Sequence, residues 1–407
     1  MQVRLHYARQ GLRNQSASIR GHLGERSHGK AGYRVVIRRR APRAPSWPPR
    51  LAPPPTKLLP AISETRCVNK TAVIGSGSWG TTLAVLVAEA HGNCALWAHD
   101  PAEAHDMAAR RENVRFLPGV TLPDTLHIEH DPAAVLRNAD LVLLTVPMRR
   151  LRENWDAVAH LIEPHAAIVS GIKGLDPATG RRVSEFVVEW AGDEIRHRLA
   201  VLSGPNLARE IAAGEPATAV IAARVPEVGR TVQQRLSAPT FRTYVSDDVI
   251  GIELAGAIKN VIAIGAGVAD GLRFGDNAKA ALMTRGLAEM TRLGLTAGAD
   301  ALTFAGLAGM GDLIATCASP HSRNHYVGQE LAAGRTLDDI QSRMVMVAEG
   351  VETSRGALAL ARRLGVEMPI VELINRALFD GLPVAEAGQV LMARELSHEL
   401  RGLRRDD

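Results

Sequence analysis

A glycine-rich turn set between a β-branched run and an alanine-rich segment constrains this chain more than any other feature. Thr71–Ile74 runs directly into Gly75-Ser76-Gly77-Ser78-Trp79-Gly80, and a helix-forming stretch, Thr81–Ala90, follows. Strand, glycine loop and helix in that order can cradle a dinucleotide pyrophosphate. Gly75 allows the tight turn, Gly77 lets the backbone approach the phosphates, and Gly80 permits close packing of helix on strand, with the helix N-terminus facing the anion. A second strand, expected at Ala95–Ala98, ends in His99-Asp100, about 20 residues past the last glycine. A carboxylate there suits the ribose hydroxyls of NAD and a cation suits the 2′-phosphate of NADP, so His99 followed by Asp100 leaves both cofactors open. His99 reads equally well as a solvated strand-end histidine.

Leu141–Val146 and Ala167–Ser170 add parallel-type strands with helical segments between them, the pattern of a doubly wound α/β sheet. Such sheets bind ligands outside the carboxyl ends of their strands. Two loops fall there: Ser170-Gly171-Ile172-Lys173-Gly174 and Ser203-Gly204-Pro205-Asn206-Leu207-Ala208. Lys173, between two glycines, can bring a charge close to a phosphate or nicotinamide, or can stand as an exposed loop lysine. From about Val249 onward Ala, Leu, Met and charged residues recur at helical spacing without a convincing strand, which gives an all-α second domain. The expected organisation is a disordered basic extension over 1–67, a dinucleotide-binding domain over 68–248, a helical substrate domain over 249–400 and a flexible end over 401–407.

Within the helical part, one ammonium group interrupts the apolar run Leu254–Val268 at Lys259. Burial disfavours its charged form and brings its pKa toward the range where it exchanges protons with a substrate, whereas a snorkelling lysine at a helix edge is merely structural. Further on, Gly306-Leu307-Ala308-Gly309-Met310-Gly311 is expected to expose Asp312, and Ser322-Arg323-Asn324 offers hydroxyl, guanidinium and amide donors suited to a phosphate monoester. Ser322 can instead be a helix N-cap beside a solvated arginine. Cys317 reads as a small apolar packing residue.

Charge divides the chain. Residues 1–70 hold 15 Lys and Arg against Glu25 and Glu64, and the rest holds 33 bases against 41 acids, so the basic character belongs to the first segment alone. Its eight prolines lie between Pro42 and Pro60, and it lacks sustained apolar periodicity. It reads as a basic arm, as a transit peptide, or as an over-extended gene start ahead of Val68. Cys67, Cys94 and Cys317 are too few and too scattered for a disulfide framework or a zinc site, and a reducing, cytosolic setting is expected, without membrane insertion.

GSGSWGT, NVRFLPG, SGIKG, SGPNLAREI, ELAGAIKNVIAIGAG, GDNAKAALMTRGLAEM, GLAGMGDLIATC, SRN and VEMPI occur in this order. By these motifs the chain, over roughly residues 70–400, resembles the bacterial-type NAD(P)-dependent glycerol-3-phosphate dehydrogenases. The resemblance implies a Rossmann domain carrying NADPH or NADH, a helical domain completing the substrate site, no metal, and reversible reduction of dihydroxyacetone phosphate to sn-glycerol 3-phosphate in the cytoplasm. It also implies supply of glycerophospholipid precursor, with a homodimer as the default assembly and no nucleic-acid partner. It places Gly75, Gly77, Ser78, Trp79, Gly80, His99, Ala208, Val347 and Glu349 at cofactor positions, and Lys173 and Arg323 at positions touching both cofactor and substrate. Gly204, Asn206, Asp312, Ser322 and Asn324 fall at substrate positions, and Lys259 at that of the proton-exchanging lysine. Asn206 departs from the serine or threonine of many relatives, and His99 stands where arginine is also common. Three other readings remain open on the residues alone, of which a nucleic-acid-binding protein rests only on the basic first segment. Another is a dehydrogenase with a Lys-Asn pair acting on a hydroxy acid or another sugar phosphate. The third is a nucleotide sensor that keeps the loop without turnover.

Overall fold

The computed structural model describes residues 69–393, and the expectations for 1–67 and 401–407 lie outside the described residues. The strands are β1 (Thr71–Ile74), β2 (Cys94–Trp97), β3 (Glu112–Asn113), β4 (Leu117–Thr121), β5 (Leu126–Glu129), β6 (Leu141–Leu144), β7 (Ala167–Ser170), β8 (Leu199–Ser203), β9 (Ala217–Ala223) and β10 (Phe241–Ser246). Eight of them form one sheet in the order β10-β9-β8-β7-β6-β1-β2-β5, and β3 and β4 make a separate antiparallel pair. All neighbours in the large sheet are parallel except β8 and β9. The order reverses beside β1, between β2 and β6, which is where an open α/β sheet forms its ligand crevice.

Side chains alternate across this sheet as the strand period requires. Val73, Leu141, Leu143 and Val169 feed one apolar cluster, while Ala72, Ile74, Val142 and Leu144 feed another on the opposite face. A third cluster surrounds the helix Val249–Gly271, which the helices Asp276–Thr296, Asp312–Ala318, Arg323–Ala332 and Glu349–Leu364 pack against. By length and composition Val249–Gly271 and Ala301–Ala318 could each span a membrane. The first has 94% of its apolar window buried inside the fold, where it serves as the central core helix. Arg323–Ala332 crosses it backbone to backbone, since a Cβ on Gly328 would lie 1.9 Å from the Ile264 carbonyl oxygen.

A buried pair ties the sheet part to the helical part. Glu253, on the central helix, accepts from Arg182 Nη1 and from the Ser184 amide, both at 2.8 Å, at the N-terminus of the helix Val183–Ala191. Burial pushes its carboxyl pKa up, and Arg182 and Ser184 pull it back down.

Several sequence expectations need correction. The first helix spans Ser78–His91 rather than beginning at Thr81, because it starts inside the glycine loop once Gly80 has brought it against β1; a Cβ on Gly80 would lie 2.0 Å from the Gly75 carbonyl oxygen. The second strand is Cys94–Trp97, one residue earlier than expected, and β6 ends at Leu144, where Thr145 Oγ1 turns to donate to Ile74 O at 2.9 Å and Gly75 O at 3.2 Å. The antiparallel return through β9 was not anticipated at all, since period and composition carry no strand direction.

Candidate active site

The helix Val249–Gly271 begins at Asp248, whose side chain accepts from the Gly251 amide at 2.8 Å. Its apolar residues meet neighbours on every side, so a cation at position 259 lies inside the fold rather than at a solvated helix edge. Lys259 is 5% exposed. Nζ donates to Thr316 Oγ1 at 2.6 Å and faces Asp312 Oδ1 at 2.9 Å. Burial brings its ammonium pKa down to about 8, with Asp312 pulling upward and Lys173 adding like-charge repulsion. The snorkelling alternative does not describe this residue.

Asp312 is the hinge of the site. Its Oδ2 accepts from Lys173 Nζ at 2.8 Å while Oδ1 faces Lys259 and accepts from Thr316 Oγ1 at 3.2 Å. The sequence expectation was an exposed carboxylate presented by glycines; instead Asp312 is 2% exposed. The glycine run forms a wide π-helical turn over Leu307–Gly311 and leads straight into the helix Asp312–Ala318, which turns the carboxylate inward between two ammonium groups. Lys173 also donates to Gly204 O at 2.8 Å, joining the two loops at the ends of β7 and β8. It is therefore not an exposed loop lysine.

An amide chain runs behind these charges. Asn260 Nδ2 donates to Lys173 O at 3.2 Å and Gly256 O at 3.3 Å, Asn324 Nδ2 donates to Asn260 Oδ1 at 2.8 Å, and the Gly350 amide donates to Asn324 Oδ1 at 2.9 Å. It gives Asn324 structural partners beyond the donor role expected of the Ser322-Arg323-Asn324 triplet. Asn324 Nδ2 gives one of its two hydrogens to that amide chain, and Ser322 Oγ accepts from the His325 amide as the N-cap of Arg323–Ala332. Only Arg323 is left facing outward. It is accessible at its surface although desolvation lowers its pKa, a combination that a cation lining a concave cleft produces. Glu349 shares that surrounding: burial pushes its carboxyl up to about 7 against the pull of Arg323 and of the Met148 amide. A Cβ on Gly174 would lie 3.2 Å from Glu349 Oε2, so Glu349 borders the Lys173 loop.

The cofactor candidates form the other side. A Cβ on Gly77 would meet nothing within 4 Å, which leaves open space at the helix N-terminus for a pyrophosphate. Trp79 Nε1 is buried without a hydrogen-bond partner and would lie 3.0 Å from a Cβ on Gly171, at the junction of the glycine loop with the Lys173 loop. Asn206 donates from Nδ2 to Thr218 O at 3.0 Å and leaves a buried Oδ1 unpartnered. An open cradle and orphaned polar atoms at its rim fit a nicotinamide dinucleotide. Ser78 opens the first helix, Ala208 opens a short helix whose first carbonyl accepts from Thr82 Oγ1 at 3.3 Å, and Val347 precedes the helix Glu349–Leu364. His99 stands apart, exposed beyond β2. Thr316 and Asn260 carry contacts that sequence reasoning did not assign. Thr316 lies four residues after Asp312, so helical spacing alone could have flagged it.

Comparison with known proteins agrees with this geometry. Residues 70–228 match the NAD-dependent glycerol-3-phosphate dehydrogenase N-terminus and residues 248–389 the C-terminus of the same family. The chain is similar to glycerol-3-phosphate dehydrogenase [NAD(P)+] of Chlorobium phaeobacteroides (44% identity, 81% of this chain and 99% of that protein) and of Geobacter sp. (48%, with the same coverage). It is also similar to the solved glycerol-3-phosphate dehydrogenase of Coxiella burnetii, at 36% identity and TM-score 0.76 over 80% of this chain and 99% of that one. With both family segments matched in order and relatives aligned nearly end to end, the chain belongs to the NAD(P)-dependent glycerol-3-phosphate dehydrogenases.

Proposed function

We propose that the two lysines bridged by Asp312 are the chemical centre of a reversible reduction of dihydroxyacetone phosphate to sn-glycerol 3-phosphate, supplying precursor for glycerophospholipids. The bridge carries the reading: a buried ammonium with a lowered pKa, held by a carboxylate and a threonine hydroxyl, is built to give up and regain a proton. When bound, the reduced nicotinamide supplies a hydride to the carbonyl carbon. Lys259 donates the proton to the C2 oxygen and removes it in reverse. Asp312 holds Lys259 in place and, with the Gly204 carbonyl, orients Lys173, which polarises the substrate together with Asn206. Arg323 binds the phosphate bidentately from the cleft wall and reaches the cofactor, so that remote binding energy orients the reacting carbonyl. Ser322 caps the Arg323 helix and keeps its hydroxyl hydrogen for the substrate phosphate, and Asn324 keeps a second amide hydrogen beside the one it gives to Asn260. Gly75, Gly77, Ser78, Trp79, Gly80, Ala208, Val347 and Glu349 line the cofactor's path, with His99 at its adenosine end.

The test is oxidation of NADH and of NADPH with dihydroxyacetone phosphate against a carboxylate-bearing ketone. Turnover confined to the triose phosphate is expected, and a preference for the carboxylate ketone would refute this assignment. The proton role also fixes a pH dependence. Reduction needs the ammonium, so its kcat/KM is expected to fall as pH rises through about 8, while the oxidation direction rises through the same value. Stability moves independently of direction: between about 8 and the ordinary lysine value of 10.5 the unfolded chain binds more protons at this site, so this group's contribution to stability rises with pH across that window. Matching pH profiles in the two directions would contradict the role of Lys259.

We place the enzyme in the cytoplasm, without membrane insertion, a setting that suits the free buried thiols of Cys94 and Cys317. A homodimer is the assembly we propose. Leu302, Met310 and Ile314 are exposed at 77%, 41% and 49% along 301–318, which supplies apolar surface for it, and a monomer mass by light scattering would exclude it.

A further inference from the structure

The end of β2 is where a dinucleotide fold tells NAD from NADP, and the residues standing there in sequence do not decide the matter. Asp100 is drawn into the cap of the helix Pro101–Arg110, its Oδ1 accepting from the Ala102 amide at 2.8 Å and the Glu103 amide at 3.4 Å. The next carboxylate, Glu103, reaches back to the glycine loop, where Ser76 Oγ donates to Oε1 at 2.7 Å. Its Oε2 faces Arg115 Nη1 at 3.4 Å. Arg115 comes from the turn between β3 and β4, and that turn is itself tied to the glycine loop: Asn113 Nδ2 donates to Ser76 O and to Thr81 Oγ1, each at 2.8 Å. The side chain of Glu103 is 17% exposed and that of Arg115 62%, so the carboxylate forms the floor and the guanidinium the solvent-facing surface. The Phe116 ring lies 4.8 Å from the guanidinium carbon.

We infer that Arg115 selects NADPH over NADH by receiving the 2′-phosphate of the adenosine ribose beside Ser76. This rests on the cofactor reading above and adds the residue that discriminates. A ribose diol is read by a carboxylate at the strand end; Asp100 has only Oδ2 left for that beside its cap, and Glu103 is engaged by Ser76 and Arg115. A 2′-phosphate needs a cation with fixed donors, and a guanidinium offers paired N–H groups and stays charged at any working pH. The Ser76 hydroxyl and Arg115 each engage one Glu103 oxygen, and the guanidinium keeps further N–H groups on its solvent-facing side for the phosphate. The part of Glu103 is to position Arg115.

Calorimetry on the full chain with adenosine 2′,5′-bisphosphate and adenosine 5′-monophosphate tests this without turnover. The bisphosphate is expected to bind about 10–100-fold tighter, as hydrogen bonds between charged groups allow. The NADPH-to-NADH ratio of kcat/KM should favour NADPH in the same direction. Arg115→Ala is expected to collapse both ratios toward one, Arg115→Lys to restore part of them, and added salt to shrink the bisphosphate preference. Glu103→Gln keeps a partner for Ser76 but releases Arg115, and should lower the preference less than Arg115→Ala does. Should the alanine variant fail to fold, Arg115→Gln keeps the stem on Phe116 and gives the same reading. Equal affinities in the wild-type chain, or a preference that survives Arg115→Ala, would overturn the inference alone. Binding of neither nucleotide would overturn the cofactor reading with it.

Discussion

Lys259→Ala is expected to lower kcat for dihydroxyacetone phosphate reduction by about 10²–10⁴-fold, the usual loss when a positioned proton donor is removed, with little change in the dissociation constant of the nicotinamide cofactor. The separation follows from the geometry. The Lys259 ammonium is held by Asp312 and Thr316 deep in the helical part, whereas the glycine loop and Trp79 line the opposite wall. Stopped-flow turnover beside cofactor titration measures both quantities. Small primary amines should restore part of the rate to the variant by entering the space the side chain leaves, and a merely structural lysine would show no such rescue. Equal losses in turnover and in cofactor affinity would sink the assignment.

Asp312→Asn is the second large effect. The carboxylate neutralises two ammonium groups at once, 2.8 Å from Lys173 Nζ and 2.9 Å from Lys259 Nζ, so the amide leaves both cations facing each other in a buried site. Asp312 pulls the Lys259 pKa upward, and its loss should carry the pH limb of the reduction downward from about 8 by about 1–3 units, the span that a close opposite charge commonly governs. At neutral pH less of the enzyme then holds the ammonium that reduction needs, so kcat/KM falls and recovers as the pH is lowered. A variant whose activity drops uniformly at every pH would show that Asp312 shapes the site without setting the charge of Lys259.

The candidate site was legible in unequal parts. Glycine spacing, the strand before it and the helix after it are local properties: Gly75 takes the positive φ of the turn, Gly80 packs closely as its place implied, and Gly77 has open space beside it. Lys259 was legible for a different reason: a lone cation in an apolar helical run must be either solvated at an edge or paired inside, and its partners decide which. Those partners could not be read. Asp312 lies far along the chain from both lysines, and no periodicity links a carboxylate to an ammonium across such distances. In the Ser-Arg-Asn triplet the sequence shows three donors and the N-cap option at Ser322, but not how the fold shares them out. Helical geometry sends consecutive residues in different directions, so Ser322 caps, Asn324 turns inward to Asn260 and Gly350, and Arg323 faces the cleft.

By itself the sequence determined the class of cofactor, the α/β-then-α order of elements and which lysine stands out, because these follow from residue type, spacing and hydrophobic period over short stretches. The tertiary structure alone decided that Asp312 is buried rather than exposed, that it joins Lys173 to Lys259, that Thr316 and Asn260 complete the set, and that Arg115 pairs with Glu103 beside the glycine loop. These are matters of desolvation and of charge meeting charge, and both depend on distances in space that a linear order of residues does not contain.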